Sequence, residues 1–339
     1  MKKIKVGIAG LGRLGKVHAN NIAYKIAGAD LVAACSIVPA ELEYAQKELG
    51  VHDVYADYND MLANADIDAV VIVTTSSQHC WQIAAALDAG KHVFTDKPLG
   101  VTLEECRLAE DAVKRHPDKT FFLGFMRRFD PSYVYAMEKI RAGAIGKPYM
   151  VKATGIDPEA LVQGAIKFAP TSGGIFIDMA IHDIDLMRWF LGDDPVEVYA
   201  MGSTFKHPEF KAAHDDETGV AMYKCANGAI GFVHVGRTAP YGYHVETEVI
   251  GTEGTLRISP VPAKNLCMIY DNNGVVQECV SGFPERFADA YRLEMENFID
   301  CAAKGIQPEV NVYDGTKSTQ IAFATTESYR QGHAVSINY

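Results

Sequence analysis

The sequence predicts an α/β protein in two parts: an N-terminal doubly wound parallel sheet, then a C-terminal α/β domain carrying a large, mostly antiparallel open sheet. Three observations predict it. At 339 residues the chain is too long for one ordinary core and suits two domains. Up to residue 124, short apolar runs alternate with segments of helical period, the pattern of βαβ units. From Lys147 the texture changes to closely spaced β-rich segments separated by turn signals. The predicted domains are therefore residues 1–124 and 125–339.

Composition narrows the class. With 48% hydrophobic and 22% charged residues the chain reads as a soluble globular protein. The formal charge of 32 − 43 = −11 argues against a nucleic-acid or anionic-membrane partner, because phosphate binding needs a basic footprint. The seven cysteines are scattered and form no C-x-x-C pair, so neither a disulfide framework nor a cysteine zinc site is expected, and a reducing cytoplasm fits. No stretch approaches eighteen apolar residues, so no membrane span is predicted. The start, Met1-Lys2-Lys3, resembles a signal n-region only superficially, because Gly7, Gly10 and Gly12 break the run that follows.

The first strand is Ile4 to Ala9. Gly10-Leu11-Gly12-Arg13-Leu14-Gly15 follows at once and opens a helix-like run to about Ala27. This is the dinucleotide fingerprint in its required setting: glycines permit the tight turn and close backbone approach, and the helix N-terminus meets a pyrophosphate. The next strand, Leu31 to Cys35, should end in an acid that bonds the adenosine ribose, but the position holds Ser36. Without a basic neighbour to hold a 2′-phosphate, NAD is favoured and NADP is not excluded. Helices near Pro39–Leu49 and Tyr58–Asn64 flank a short strand at Val54. Ala69 to Val73 is a β-branched run suited to burial on both faces of a parallel sheet. It leads into Thr74-Thr75-Ser76-Ser77-Gln78-His79, at the carboxyl end of a strand where a cofactor lies in such sheets. Thr74, Thr75, Ser77 and His79 are candidate cofactor contacts there, although His79 reads equally as a helix-opening residue with no chemical task.

The strand Lys91 to Thr95 delivers Asp96-Lys97-Pro98, in which proline restricts Lys97 to an extended conformation. A helix from Thr102 to Arg115 and the strand Thr120 to Gly124 complete six strand units. At the crossover, Arg127 is a candidate for a hydroxyl-rich substrate and Arg128 for a structural pair. In the second part, Pro148 to Ile156 is strand-like and a loop of about fifteen residues follows. The expected later strands are Val196–Thr204, Gly219–Cys225, Ala229–Gly236, His244–Ile250, Thr255–Ile258, Leu266–Tyr270 and Val275–Val280, with Asn227-Gly228 and Asn273-Gly274 as hairpin turns. Such a sheet needs its second face covered by helices or by another subunit. Phe287–Lys304 and Tyr313–Gly332 are amphipathic helices that close the chain.

The segment Gly173 to Leu191 reads as one helix with Asp178, His182 and Asp185 at i, i+4 and i+7. At ~100° per residue the three fall within roughly a 60° sector. Two readings stay open on this segment alone: a satisfied His–Asp pair in packing, or a chemical stripe. A metal site of one imidazole and two carboxylates is a weaker third, because a nearby lysine would supply the electrophilic charge. No metal is expected.

Taken together, the glycine fingerprint, Asp96-Lys97-Pro98 and Gly173-Gly174…Asp178…His182…Asp185 resemble the glucose-fructose oxidoreductase/inositol dehydrogenase family over essentially the whole chain. Gly124-Phe125-Met126-Arg127-Arg128-Phe129-Asp130 and Arg286-Phe287-Ala288-Asp289-Ala290-Tyr291 are most similar to the bacterial inositol 2-dehydrogenases within it. The resemblance implies an N-terminal Rossmann domain that binds NAD(P), a C-terminal substrate and oligomerisation domain, commonly a homotetramer formed through its sheet, and catalysis by Lys97, Asp178 and His182. Asp96 stands where the family usually has Glu. Asp157 stands where related inositol enzymes tend to carry Asn, with Gly155 at a position that is often larger, so the pocket is retuned.

The chemistry these residues could do follows from the reaction. Oxidising a secondary alcohol sends hydride to nicotinamide and a proton to the protein. His182 is the best base, with Asp178 as its partner and Asp185 as support; Lys97 suits a fixed charge for developing alkoxide character. Asp157, Tyr241 and Tyr243 join Arg127 as candidate polyol contacts. The expected function is oxidation of an inositol to its inosose. A sugar oxidoreductase of the same family, one that shuttles hydride on a retained cofactor, and a non-catalytic dinucleotide sensor are the alternatives.

Overall fold

A computed structural model of the chain describes residues 3–259 and 262–339; Met1 and Lys2 of the expected start lie outside them. The chain forms two compact units, Met1–Phe129 with Asp289–Thr319, and Asp130–Ala288 with Gln320–Tyr339. The first sheet has six strands, β1 (Ile4–Ala9), β2 (Ala29–Cys35), β3 (Asp53–Tyr55), β4 (Ala69–Ile72), β5 (His92–Asp96) and β6 (Phe121–Gly124). Their order is β3-β2-β1-β4-β5-β6, every pair parallel. The order reverses between β1 and β4, the switch point at which ligands sit in doubly wound sheets. Helices α1 (Arg13–Tyr24), α2 (Pro39–Glu48), α3 (Tyr58–Asn64), α4 (His79–Asp88) and α5 (Leu103–Arg115) make the crossovers. Local chemistry sets their starts: Asp57 caps α3 through the amides of Asn59 and Asp60, and Thr102 caps α5 through that of Glu105.

The core of the first unit joins Val6, Ile8, Val71, Phe94 and Phe122 to Met295, Phe298 and Ile299. The last three lie on α12 (Ala288–Lys304), which the sequence assigns to the second domain. Their apolar face is what recruits the helix: Met295 and Phe298 are wholly buried, and the Phe298 ring lies 5.7 Å from that of Phe94.

The second unit holds α6 (Pro131–Arg141), β7 (Pro148–Pro158), α7 (Val162–Ser172), α8 (Ile175–Asp178), α9 (Ile181–Leu191), β8 (Pro195–Ser203), α10 (Glu209–Ala212), β9 (Thr218–Cys225), β10 (Ile230–Ala239), β11 (His244–Gly251) and β12 (Thr255–Ile258). The short hairpin β13 (Ile269–Asp271) and β14 (Gly274–Val276), α11 (Phe283–Arg286), and the edge strand β15 (Val335–Ser336) complete it, and α13 (Val312–Gln331) runs through the second unit from Gln320. Seven strands form one sheet in the order β12-β11-β7-β10-β9-β8-β15, antiparallel throughout except for β7 with β10. One row across it, Ala200, Ala221, Val233, Ala153 and Thr247, is buried. The next row on the opposite face, Tyr199, Met222, Phe232, Lys152 and Glu248, is exposed or half-buried. Gly231 lets α9 approach the covered face, since a Cβ there would meet Met187 Sδ at 1.9 Å.

Three expectations are corrected. The loop after β7 contains a helix, α7, because Val162, Ala165, Ile166 and Ala169 recur at helical spacing and pack with Phe210, a pattern hidden by Gly164 and Pro170. The single helix from Gly173 is two, because Gly173 and Gly174 adopt φ of +81° and +97°, and the turn at Met179-Ala180 separates α8 from α9. The last two expected strands shrink to the short exposed hairpin β13 and β14, while Cys279 and Val280, at the end of the second, pair with Ala263 and Pro262 instead. Among the described residues no helix is long and apolar enough to cross a membrane.

Candidate active site

In the first unit, β1 ends against a loop that only glycine can build. A Cβ on Gly10 would lie 2.4 Å from the Val73 carbonyl oxygen, and one on Gly15 would lie 2.1 Å from that of Gly10. Around Gly12, by contrast, nothing lies within 4 Å of the same position, and Gly12 is the N-cap of α1 with no side-chain cap. A tight turn with one open side at a helix N-terminus is the cradle a dinucleotide pyrophosphate requires, so Gly10, Leu11, Gly12, Arg13, Leu14 and Gly15 fit that group.

Ser36 is buried just past β2, and its hydroxyl donates to Glu41 Oε2 at 2.6 Å. The Leu11 amide donates to the same carboxylate oxygen at 3.3 Å. Past β4, the Thr74 hydroxyl donates to Gln82 Oε1 at 2.6 Å, while Thr75 and Ser77 are exposed. His79 opens α4 fully buried, with Nδ1 2.8 Å from the Pro98 carbonyl oxygen and Nε2 3.2 Å from that of Thr74. Burial lowers its pKa, the two carbonyls oppose that, and the Lys97 ammonium adds to it. A neutral ring donates through one nitrogen only, so His79 bonds one of these two carbonyls at a time, that of Pro98 or that of Thr74. Asp96 and Lys97 are half-buried at the end of β5; removal from water pushes the Asp96 carboxyl up to about 6, against the pull of Lys97.

Behind this loop lies a cluster that sequence reasoning missed. His18 on α1 and Glu294 on α12 are wholly buried, with Nε2 and Oε1 3.9 Å apart. Burial lowers His18 to about 3 and raises Glu294 well above the carboxylate range, helped by the charge of Asp96. His18 is therefore neutral at neutral pH, and Glu294 is shifted toward its protonated form. Arg127 is also buried, in the turn Met126–Phe129, and Arg128 Nη2 donates to Asp314 Oδ1 at 3.2 Å.

In the second unit, Asp178 is the last residue of α8, and His182 is the second of α9; both are half-buried, while Asp183 and Asp185 are fully buried. A buried arginine on β10 organises this corner. Arg237 Nη1 donates to Asp178 Oδ2 at 3.1 Å, and its Nη2 lies 3.6 Å from Asp215 Oδ2. Asp215 Oδ1 accepts from the Ile175 amide at 2.9 Å, which pins the first turn of α8. Burial raises the Asp215 pKa; the Ile175 amide and Arg237 pull it down, and Asp178 pushes it up. The guanidinium thus holds two carboxylates, one at each end of the four-residue helix α8, and rests over the Phe210 ring at 5.6 Å. The neighbouring acids are used structurally: Asp216 takes Thr204, Lys211 and Tyr329, and Glu217 takes the amides of Phe205, Lys206 and His207.

Asp157 lies half-buried near the end of β7. Tyr241 is exposed, its hydroxyl 2.8 Å from His244 Nδ1, whereas Tyr243 is buried edge-on to Phe287 at 6.3 Å. Among the described residues no group of three or more His, Cys, Asp or Glu is arranged to hold a metal ion. No local pattern in the sequence marks Arg237, since Lys224 already stands between it and the run Asp215-Asp216-Glu217.

Residues 4–125 match the oxidoreductase family model with an NAD-binding Rossmann fold, and residues 133–257 match the GFO/IDH/MocA C-terminal domain. The chain belongs to the GFO/IDH/MocA oxidoreductase family. Within that family it is 36% identical to scyllo-inositol 2-dehydrogenase (NAD(+)) of Bacillus subtilis, over 99% of this chain and 97% of the relative. Among solved structures it is similar to scyllo-inositol dehydrogenase of Lactobacillus casei with bound NAD(H) and scyllo-inositol, at 44% identity, a TM-score of 0.97 and 99% coverage of both chains. Myo-inositol 2-dehydrogenase of Lactobacillus plantarum matches at 42% identity and a TM-score of 0.97, over 99% of this chain and 100% of that one.

Proposed function

We propose that the chain is an NAD-dependent dehydrogenase that oxidises one secondary hydroxyl of an inositol, myo- or scyllo-, to the inosose. The observation that carries this reading is the 44% identity, over nearly the whole chain, to an enzyme solved with NAD(H) and scyllo-inositol. When bound, nicotinamide supplies the hydride acceptor. The protein's own task is the proton and the charge left on oxygen.

His182 takes the hydroxyl proton, since imidazole with a reference pKa of ~6.5 is mostly neutral and able to accept at neutral pH. Asp178, held in place by the Arg237 guanidinium at 3.1 Å, orients the hydroxyl or the imidazole and stabilises the imidazolium that forms. Lys97 supplies a fixed ammonium that favours alkoxide character on the reacting oxygen. Arg127, Asp157, Tyr241 and Tyr243 are assigned to the remaining hydroxyls. The first domain carries the cofactor contacts Thr74, Thr75, Ser77, His79 and Asp96 together with the glycine loop. The enzyme works as a cytoplasmic homotetramer assembled through the open face of the seven-stranded sheet.

The test is a panel of myo-inositol, scyllo-inositol, chiro-inositol and glucose with NAD, read as absorbance of the reduced cofactor. Turnover of an inositol is expected, and no turnover on any of the four sinks the substrate assignment. Lys97→Ala and His182→Ala should each lower kcat by at least ~100-fold while NADH still binds. Near-normal turnover by His182→Ala would move the base elsewhere.

A further inference from the structure

NAD enzymes of this fold meet the adenosine ribose with an acid at the end of the second strand, and a carboxylate there also repels the 2′-phosphate of NADP. Here that position holds the neutral Ser36, buried and held on both sides: its hydroxyl oxygen accepts from the Val38 amide at 3.1 Å, and its proton goes to Glu41 Oε2 at 2.6 Å. Glu41 stands in the first turn of α2, two residues past Pro39, and the same oxygen takes the Leu11 amide of the glycine loop at 3.3 Å. One carboxylate therefore spans the end of β2 and the glycine loop, the two elements that bracket the adenosine half of a dinucleotide. Both bonds fall on Oε2, and Oε1 takes neither. The residues between Ser36 and Pro39 are Ile37, 89% exposed, and Val38, 44% exposed, so neither of them offers a cation to a 2′-phosphate.

We propose that Glu41, positioned by Ser36, is the acid that reads the adenosine ribose in this chain and sets its preference for NAD over NADP. A helix-borne carboxylate takes the place of the strand-end acid, with the serine as the hydrogen-bonded link between them. This inference rests on the dinucleotide reading of the first unit and goes beyond it by naming the group that discriminates the nucleotide. A carboxylate beside a 2′-phosphate repels it, so Glu41 should be worth about tenfold or more in cofactor choice.

The experiment is binding, independent of turnover: dissociation constants of NADH and NADPH by fluorescence, and of ADP-ribose and its 2′-phosphate by calorimetry. They are measured on the whole protein and on Glu41→Gln, Glu41→Ala and Ser36→Ala, with circular dichroism melts reporting the fold. The unsubstituted chain should bind NADH and ADP-ribose about tenfold or more tighter than their 2′-phosphorylated counterparts. Glu41→Ala should shrink that ratio about tenfold, and Glu41→Gln should do so chiefly by improving the 2′-phosphorylated ligands, because it keeps an acceptor and loses the charge. Ser36→Ala should weaken NADH binding by less than Glu41→Ala. A folded Glu41→Ala whose ratio stays within about twofold of the parent's overturns the proposal while leaving the dinucleotide reading intact. A folded parent that binds none of the four ligands overturns both.

Discussion

Arg237 shows how one buried residue can hold a proposed catalytic carboxylate in place. Its side chain is 2% exposed, and it faces Asp178 and Asp215, the second of them equally buried. Taking away one partner of such a buried cluster costs ~3–5 kcal/mol, because the remaining charges lose their compensation. Arg237→Met should therefore lower both the melting temperature and kcat. Arg237→Lys keeps the charge but loses the planar fork. It should hold the fold and lower kcat about ten- to a hundredfold, with cofactor binding changed far less, as Asp178 loses its fixed partner. A lysine variant with parental kcat would show that Arg237 serves stability alone. The residue was invisible in the sequence for a physical reason: a buried arginine and a surface arginine have the same letter, and its partners lie 59 and 22 positions away in a chain of 75 charged residues. The glycine loop was readable because its constraint is local. A Cβ on Gly15 would meet the carbonyl of Gly10 within the same turn, and one on Gly10 would meet that of Val73 just past β4, so type and spacing alone betray the turn.

At the scale of elements, α1 and α12 meet through His18 and Glu294, a pair whose protonation works in opposite directions. His18 falls to about 3, so it favours folding above its unfolded value of 6.5 and loses that contribution as pH drops toward 3. Glu294 is raised, so the folded state keeps a proton that the unfolded state gives up above 4.5; its contribution declines as pH rises through that point toward the folded value. The other titrating groups at this cluster are Asp96, raised to about 6, and the Lys97 ammonium beside it. Glu294→Gln keeps the shape and removes one titration. Its stability advantage over the parent should be absent below pH 4.5 and grow above it by up to ~1.4 kcal/mol per pH unit. Melting curves of both proteins at pH 4, 6 and 8 check this, and an advantage that shrinks with rising pH would reverse the assignment. Elements were legible wherever periodicity was strong, as in β1, whose bounds match the expectation, and in α12, shifted by one residue. They were lost where breakers interrupt the signal: Gly164 and Pro170 hid α7, and the turn at Met179-Ala180 split what reads as one helix with a single chemical face.

For the whole molecule, the seven-stranded sheet has one face closed by packing and one that carries Tyr199, Met222 and Phe232 in a cross-strand row. An apolar row on an open sheet face is what a second copy of the chain would cover. Met222→Glu with Phe232→Glu should shift the sedimentation profile from a tetramer toward smaller species, and a profile unchanged by the pair would put the assembly contact elsewhere. Sequence pattern alone anticipated this open sheet, down to the Asn227-Gly228 turn between β9 and β10. It misjudged β13 and β14, because a hairpin that pairs only with itself has the same local signature as one that extends a larger sheet. Nor could it anticipate that the chain returns to the first unit at Asp289, since nothing in an amphipathic helix states which core it will fill.

That return fixes an order of events during synthesis. Val6, Ile8, Phe94 and Phe122 leave the ribosome early, yet the surface they await, Met295, Phe298 and Ile299, is made only after the whole of the intervening Asp130–Ala288. The nascent nucleotide-binding sheet must therefore wait, with part of its apolar face uncovered, while the whole of Asp130–Ala288 is translated, and only the arrival of the helix after it can seal its oldest core.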